Sequence, residues 1–315
     1  MNGNGGSISS RIQPDGFLLA MSTDWQVEQA SANIGDYLGI DADRCLGRPA
    51  ADFLPGDAIH ALRNRLALLR GTDGIERLFN CELVQGKPTF DTAIHMSDGL
   101  VVLEAEPSVG KNDGDVIGTV RAMSEPLDAT QGIDELLAAG TRQVRALTGY
   151  DRVVVIRFDG HSVGHAVAEC ARGGIGSILG QQLPADSFPE AERAAWQRSS
   201  MQLASDVDLP GVAITREHGS APLDLSLSVL RAPSPAYADH LRRHGAKAAL
   251  TLAIMVDGRL WGIVACHHHL PRRPSAERRS MAELFVQMFA MRIEIAELRQ
   301  SLAEAVNSPE SISAG

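Results

Sequence analysis

Short runs of β-branched and aliphatic residues, separated by turn signals, recur along the chain. The clearest pair is ALTLAIMV and RLWGIVACHH, with Asp257 and Gly258 between them. Both central residues of a type I′ turn adopt a positive φ, which suits this dipeptide, and the flanking residue types favour strands. The pattern therefore predicts a β-hairpin whose second strand ends in Cys266 and three histidines.

The N-terminal part of the chain predicts several strands and two helices, the first of them in NIGDYLGI. FLLAMS, LFNCELV, FDTAIHM and LVVLEAEP have the composition of strands, whereas DAIHALRNRLALLRG carries apolar residues at helical spacing. Residues 116–123, VIGTVRAM, predict one further strand, and residues 124–132 predict a junction. IDELLAAGTRQVRALT then predicts an amphipathic helix that ends at Gly149. This mixture predicts an α+β chain of two domains, 1–124 and 125–315.

The most regular pattern is the heptad repeat near the C-terminus. Two apolar positions, three residues apart, recur every seven residues: Met281, Met288, Ile295 and Leu302 in one, and Leu284, Met291, Leu298 and Ala305 in the other. Such a repeat is typical of a coiled coil and predicts a dimerisation helix. The alternative is an amphipathic helix that only covers its own sheet.

Charge and composition narrow the class of protein. The 315 residues include 29 basic and 39 acidic ones, for a net charge of −10. This balance argues against a nucleic-acid partner, which favours a basic face. The sequence contains no apolar segment long enough for a membrane span and begins with no signal peptide, so a cytoplasmic location without membrane contact is expected.

The histidines at the end of the predicted hairpin suggest a metal site or a catalytic site. On a strand, however, alternation directs His267 and His269 to one face and His268 to the other, and zinc needs further convergent ligands. Asp186, Ser187 and His267 together suggest hydrolase chemistry, but no nucleophile elbow accompanies them. The sequence therefore predicts no metal, no catalytic residues and no enzymatic activity for this chain.

Several segments together resemble one known family. IQPDGFLLA, LTGYDRVVVIRFD, PADSFP, PLDLSLSVLRAPSP and VDGRLWGIVACHH are similar to the chromophore-binding region of bacteriophytochromes, a PAS domain followed by a GAF domain. The resemblance implies that the N-terminal segment around Ile12 threads through a lasso of the GAF domain, in a figure-of-eight knot, with the lasso between about 204 and 235. It also implies a linear tetrapyrrole in the GAF pocket and a helix that passes the signal onward.

The cysteines that attach a bilin in this family have no counterpart here. Bacterial members use a Cys just before the IQPHG-like motif, but residues 1–11 contain none. Plant and cyanobacterial members use a GAF Cys, and Ala236 occupies that position. A thioether requires a thiolate near the vinyl group, so no covalent attachment is expected. Biliverdin is the family's cofactor, and none is expected for this chain.

The noncovalent contacts of the pocket also differ from the family's. The family's Pro-x-Ser-Asp-Ile-Pro motif reads PADSFP, which places Ser187 at the position of the Asp and Asp186 one residue earlier. On an extended segment, this shift turns the Asp side chain away from its target. Arg231 and His267 are kept, and Arg231 suits a bidentate carboxylate contact.

Further pocket positions carry other residue types than the family's. They are Ile156 and Trp196 for tyrosines, Gln202 for an Arg on the helix after PADSFP, Tyr237 for a His, and Ala249 and Thr251 for two serines. Each lost charge-assisted contact costs roughly 1.5–3 kcal/mol of ligand affinity. The bulk of Trp196 and Tyr237 is expected to fill part of the pocket.

These observations predict the sensing module of a bacteriophytochrome-like sensor, in this family usually a histidine kinase, that has lost bilin attachment and light sensing. One candidate input is redox chemistry at the four cysteines, which lack a CxxC motif and are expected as free thiols: Cys45, Cys81, Cys170 and Cys266. The alternatives are a photoreceptor that binds biliverdin noncovalently and a constitutive dimerisation scaffold. The expected partners are a second copy of the chain, a downstream output domain and a response regulator.

Overall fold

The computed structural model describes residues 10–109 and 114–307 and has the α+β character that the sequence predicts. Its contacts divide the chain into two compact units. The first comprises Met1–Asp113, Asp186–Thr251 and His267–Glu277, and the second comprises Gly114–Ala185, Leu252–Cys266 and Arg278–Gly315.

Strands and helices follow one another in groups along the described residues. The strands are β1 (Arg11–Ile12), β2 (Phe17–Met21), β3 (Val27–Ser31), β4 (Ile75–Cys81), β5 (Phe90–Ser97), β6 (Leu100–Pro107), β7 (Arg152–Phe158), β8 (Gly164–Ala171), β9 (Gln182–Leu183), β10 (Met201–Ala204), β11 (Val212–Arg216), β12 (Ala248–Val256) and β13 (Arg259–His268). The α-helices are α1 (Ile34–Leu38), α2 (Ala42–Cys45), α3 (Gly56–Leu66), α4 (Val116–Asp128), α5 (Ile133–Thr148), α6 (Glu190–Arg198), α7 (Pro235–Arg243) and α8 (Ala276–Asn307).

The strands form two sheets, and the first belongs wholly to the first unit. It has seven strands in the order β1-β11-β3-β2-β6-β5-β4, and the second has six in the order β10-β12-β13-β7-β8-β9. Strand β2 is buried along its whole length because alternate side chains enter two cores. Phe17 and Leu19 pack with α1 to α3, whereas Leu18 packs with Leu225 and Leu230 of the loop between β11 and α7.

The N-terminal segment is hydrogen-bonded on both edges to parts of the same long loop. On one edge, Arg11 and Ile12 pair antiparallel with β11. On the other, the Gln13 amide donates to the carbonyl of Leu230 (2.7 Å), and the Ala232 amide donates to the carbonyl of Arg11 (2.9 Å). The backbone groups on both edges of this segment are thus paired, and its threading through a lasso stays a prediction.

The predicted hairpin is confirmed. Asp257 and Gly258 connect β12 to β13 with φ values of 49° and 69°, as a type I′ turn requires. The predicted helix before β7 is also confirmed as α5, which ends at Gly149 with φ of 66°.

The strand predicted for VIGTVRAM is wrong, because these residues form most of α4. Asp115 caps this helix by accepting a hydrogen bond from the Gly118 amide (2.8 Å). The residues buried on α4 are Val120, Met123 and Leu127, which have helical spacing. Tertiary packing of this face and the cap outweigh the β-branched composition of the segment, and the helix also covers part of the predicted junction.

Helix α8 has one face against its own unit. Phe285, Phe289 and Ile293 are fully buried, and the ring of Phe289 lies where a Cβ on Gly140 of α5 would be, only 2.5 Å away. Gly140 therefore permits close approach of the two helices. From residue 294 onward, none of the side chains whose burial is described is buried. Over the described ranges, no helix is both long enough and apolar enough to cross a bilayer.

Replacing Gln13 by Ala is expected to destabilise the first unit. The buried Gln13 amide donates to the carbonyls of Leu203 (2.8 Å) and Arg231 (3.2 Å) and accepts from the Ser205 amide (2.7 Å). Loss of these partners leaves buried polar groups unsatisfied, at about 1–3 kcal/mol. Urea unfolding measures the change, with the exposed Gln131→Ala as control. Equal stability of the two variants would contradict this role for Gln13.

Candidate functional site

The side chains assigned to a ligand pocket lie mostly in the first unit, and Trp196, Tyr237 and Thr251 among them lie on α6, α7 and β12. Trp196 of α6 and Tyr237 of α7 are only 1% and 2% exposed. Their ring centroids are 5.8 Å apart, and the planes meet edge to face at 72°, a favourable geometry for aromatic pairs. The two large side chains thus pack directly against each other.

The polar atoms of both rings find partners inside the protein. The Trp196 indole N–H donates to Oε1 of Gln202 (2.7 Å), and the hydroxyls of Tyr237 and Thr251 are 2.9 Å apart. Buried aromatic N–H and O–H groups normally require such partners. Here, Gln202 and Thr251 supply them, and no ligand is needed for that purpose.

His240 and Phe188 extend this aromatic cluster. The His240 ring is stacked on Tyr237 at 6.2 Å and lies 5.6 Å from Phe188. Burial, together with the charges of His244 and Arg243, lowers the pKa of His240 to about 4, because burial disfavours the charged imidazolium. The ring is therefore neutral at physiological pH.

Arg231 takes part in a buried ion pair. Its Nη1 donates to Oε2 of Glu192 (3.0 Å), and the two side chains are 2% and 1% exposed. The other carboxylate oxygen of Glu192 accepts from the backbone amide of Ser234 (3.2 Å). The arginine that the sequence assigned to a ligand carboxylate is thus bound to a carboxylate of its own chain.

The other assigned residues are dispersed. Ser187 is buried in a short 3-10 helix, Ala185–Ser187, and Asp186 of the same turn is exposed. The segment is therefore not extended as expected, although the Asp186 side chain does face outward. His267 is buried at the end of β13, and Ile156 is buried on β7 of the second unit.

Two further differences concern residues that the sequence placed wrongly or missed. Gln202 lies on strand β10 and not on the helix after PADSFP, because α6 already ends at Arg198. Glu192 and His240 were missed. Glu192 precedes Trp196 by four residues and His240 follows Tyr237 by three, so helical spacing was the signal that would have placed them beside these rings.

The cysteines are all free thiols, as expected. Burial raises the pKa of the thiols of Cys45, Cys81 and Cys266, most strongly at the fully buried Cys266. A buried, protonated thiol is a poor nucleophile and reacts slowly with oxidants. Cys170, half-buried on β8, is the most accessible of the four.

Comparison with known proteins identifies the family of both halves. Residues 7–108 match the PAS fold family, and residues 132–297 match the GAF domain family. The chain is 29% identical over 302 residues to cyanobacterial phytochrome B of Nostoc sp., covering 92% of this chain and 40% of the relative. It is also 29% identical to the bacteriophytochrome of Pseudomonas aeruginosa, covering 91% of this chain and 39% of the relative.

Solved structures give the same result. The chromophore-binding domain of the Stigmatella aurantiaca bacteriophytochrome superimposes with a TM-score of 0.80 at 29% identity, over 90% of this chain and 95% of that one. The chromophore-binding domain of an unusual bacteriophytochrome from R. palustris gives 0.82 at 29% identity, over 93% and 97%. The chain belongs to the GAF family, in a phytochrome-type PAS–GAF photosensory module. This module spans about two fifths of the length of the curated relatives.

The lowered pKa of His240 predicts a pH dependence of stability in the PAS–GAF module. The unfolded chain binds this proton below pH about 6.5, whereas the folded chain does so only below about 4. Stability is therefore fully present above pH 6.5 and is lost as the pH falls towards 4, by up to about 1.4 kcal/mol per pH unit.

Replacing His240 by Phe keeps a ring in the cluster and removes the titration. We expect urea unfolding of His240→Phe to depend less on pH between 6.5 and 4 than that of the unchanged protein. The exposed His60 serves as control in His60→Phe. If both variants retained the original slope, His240 would not be the group responsible.

Proposed function

We propose that this chain is the sensing module of a bacteriophytochrome-like signalling protein that works without a bound bilin. The observation that carries the proposal is a set of direct contacts between the pocket side chains, even though Nε2 of Gln202 and Nε of Arg231 make no hydrogen bond within the described residues. Trp196 bonds to Gln202, Tyr237 bonds to Thr251, and Arg231 pairs with Glu192. We expect no enzymatic activity of the module itself and a cytoplasmic location.

The energetics of ligand entry support this proposal. A tetrapyrrole placed among these side chains has to separate the rings of Trp196 and Tyr237 and break polar contacts that are already made. Each buried donor or acceptor left unsatisfied costs about 1–3 kcal/mol. A thioether bond would offset such costs, but the sequence has no Cys among residues 1–11 and carries Ala at position 236.

Fewer cysteines are suited to a redox input than the sequence suggested. Burial raises the pKa of three of the four thiols, and thiolate character controls their oxidation. Cys170 is half-buried and is the most accessible of the four thiols. The burial of three thiols therefore argues against a redox input through Cys45, Cys81 or Cys266.

The exposed stripe on α8 supports a dimer. Leu284, Met291, Ile295 and Leu298 are 44%, 56%, 44% and 63% exposed, and all four occupy the two apolar heptad positions. Met288 is half-buried, whereas Met281 is buried in its own chain and lies off this stripe. Exposed apolar residues at these positions are the contact residues of a coiled coil. We propose a homodimer through α8, whose helix passes the signal to an output domain and a response regulator.

Biliverdin titration of the purified protein tests the absence of a bilin. We expect no red absorption band and no zinc fluorescence on a denaturing gel, because the side chains of the pocket fill its space and bind one another. The chromophore-binding domain of the Stigmatella aurantiaca bacteriophytochrome is the positive control. A band without fluorescence would establish the noncovalent alternative, and a fluorescent, photoconverting species would overturn the proposal.

Charges on the exposed stripe are expected to abolish dimerisation. The double variant Ile295→Glu with Leu298→Glu places two carboxylates at heptad contact positions, where their burial in a dimer is costly. Sedimentation velocity is expected to report a monomer for this variant and a dimer for the unchanged chain. The control pair is Gln300→Glu with Ser301→Glu, on the same turn but outside the contact positions. Dimers in all three proteins would rule out this interface.

A further inference from the structure

The carboxylate of Glu192 is bound as a ligand carboxylate would be. Helix α6 carries Glu192 and Trp196 four residues apart on one buried face, and Glu192 is 1% exposed. Its Oε2 accepts from Arg231, and its Oε1 accepts from the Ser234 amide. A glutamate in the first turn of a nine-residue helix normally remains in water, since burial of a charge costs several kcal/mol unless it is compensated.

The two groups that bind Glu192 come from a different part of the chain. Arg231 supplies a fixed positive charge, and Ser234, whose backbone amide donates to Glu192, is the N-cap of α7, where the helix dipole favours anions. The Ser234 hydroxyl meanwhile caps the Tyr237 amide (3.3 Å). A guanidinium and a helix N-terminus that converge on one point form a site for a carboxylate.

The guanidinium of Arg231 has a hydrogen-bond donor that Glu192 does not use. Its Nε is buried and makes no hydrogen bond within residues 10–109 and 114–307. A guanidinium normally holds a carboxylate by two parallel hydrogen bonds, but Glu192 uses only one of its nitrogens, because the second oxygen points to Ser234. Arg231 therefore keeps a buried donor that Glu192 leaves unused.

We propose that Glu192 is a built-in ligand that occupies a buried carboxylate site formed by Arg231 and the first turn of α7 and keeps external carboxylates out. The proposal rests on the proposed function and deepens it, because it names the group that closes this part of the pocket. The chemical class of ligand for the opened site is a small monocarboxylate. Truncation of Glu192 to Ala removes a methylene and the carboxylate, which together have the size of acetate.

The test is rescue of Glu192→Ala by acetate. We expect this variant to melt at a lower temperature than the unchanged protein, because Arg231 loses its buried counter-ion. Sodium acetate is expected to raise the melting temperature in a saturable manner, as a ligand of the folded state does, whereas equal concentrations of sodium chloride or of bulky sodium pivalate are not. If Glu192→Ala does not fold alone, the yield of refolding from urea in acetate, chloride or pivalate gives the same comparison.

Two control variants distinguish acetate binding in the space left by the Glu192 side chain from general effects of acetate on stability. Glu190→Ala removes an exposed glutamate from the same helix and is expected to respond to acetate no more than the unchanged protein. Glu192→Gln removes the charge but fills the space, so it is expected to melt lower without acetate rescue. Equal responses of Glu192→Ala to all three salts, or equal acetate rescue of Glu192→Gln, would overturn the proposal. Biliverdin binding to the unchanged chain would overturn the proposed function alone, since acetate rescue measures only the site of Glu192.

Discussion

The burial of one guanidinium constrains much of the first unit. The backbone of Arg231 forms a β-bridge with Ile12 and accepts from the side chain of Gln13, while its side chain binds Glu192 on α6. A buried cation tolerates little displacement, because its counter-ion must follow it. One residue therefore fixes the N-terminal segment, the long loop and the helix that carries Trp196.

The position of the aromatic cluster depends on the same ion pair between Arg231 and Glu192. With Glu192 held by Arg231, the next turn of α6 presents Trp196 to Tyr237, and His240 stacks on the far side of the tyrosine ring. Close packing of large rings leaves few voids and makes the region resistant to rearrangement. The side chains of this cluster contact one another within a PAS–GAF module of the phytochrome type.

Local patterns in the sequence predicted the elements better than the contacts between them. Asp257 and Gly258 determine their turn through backbone preferences alone, and the heptad repeat marks α8. The strand predicted for residues 116–123 is wrong because β-branched composition gives only a weak preference for strands. Packing of the helix and its cap at Asp115 outweigh this preference. The pair of Glu192 and Arg231 was not predictable from spacing, since 39 positions separate the partners and only the folded loop brings them together.

The contact between Gly140 and Phe289 has a mechanical consequence. The ring occupies the space of the missing Cβ, so rotation of α8 about its own axis drives the ring into the backbone of α5. This part of the helix thus resists rotation, and the next turn is held by the hydrogen bond that the Trp261 indole N–H donates to Glu297 (2.9 Å). In the proposed signalling role of α8, we therefore expect the helix to tilt or shift together with α5 rather than to turn about its own axis.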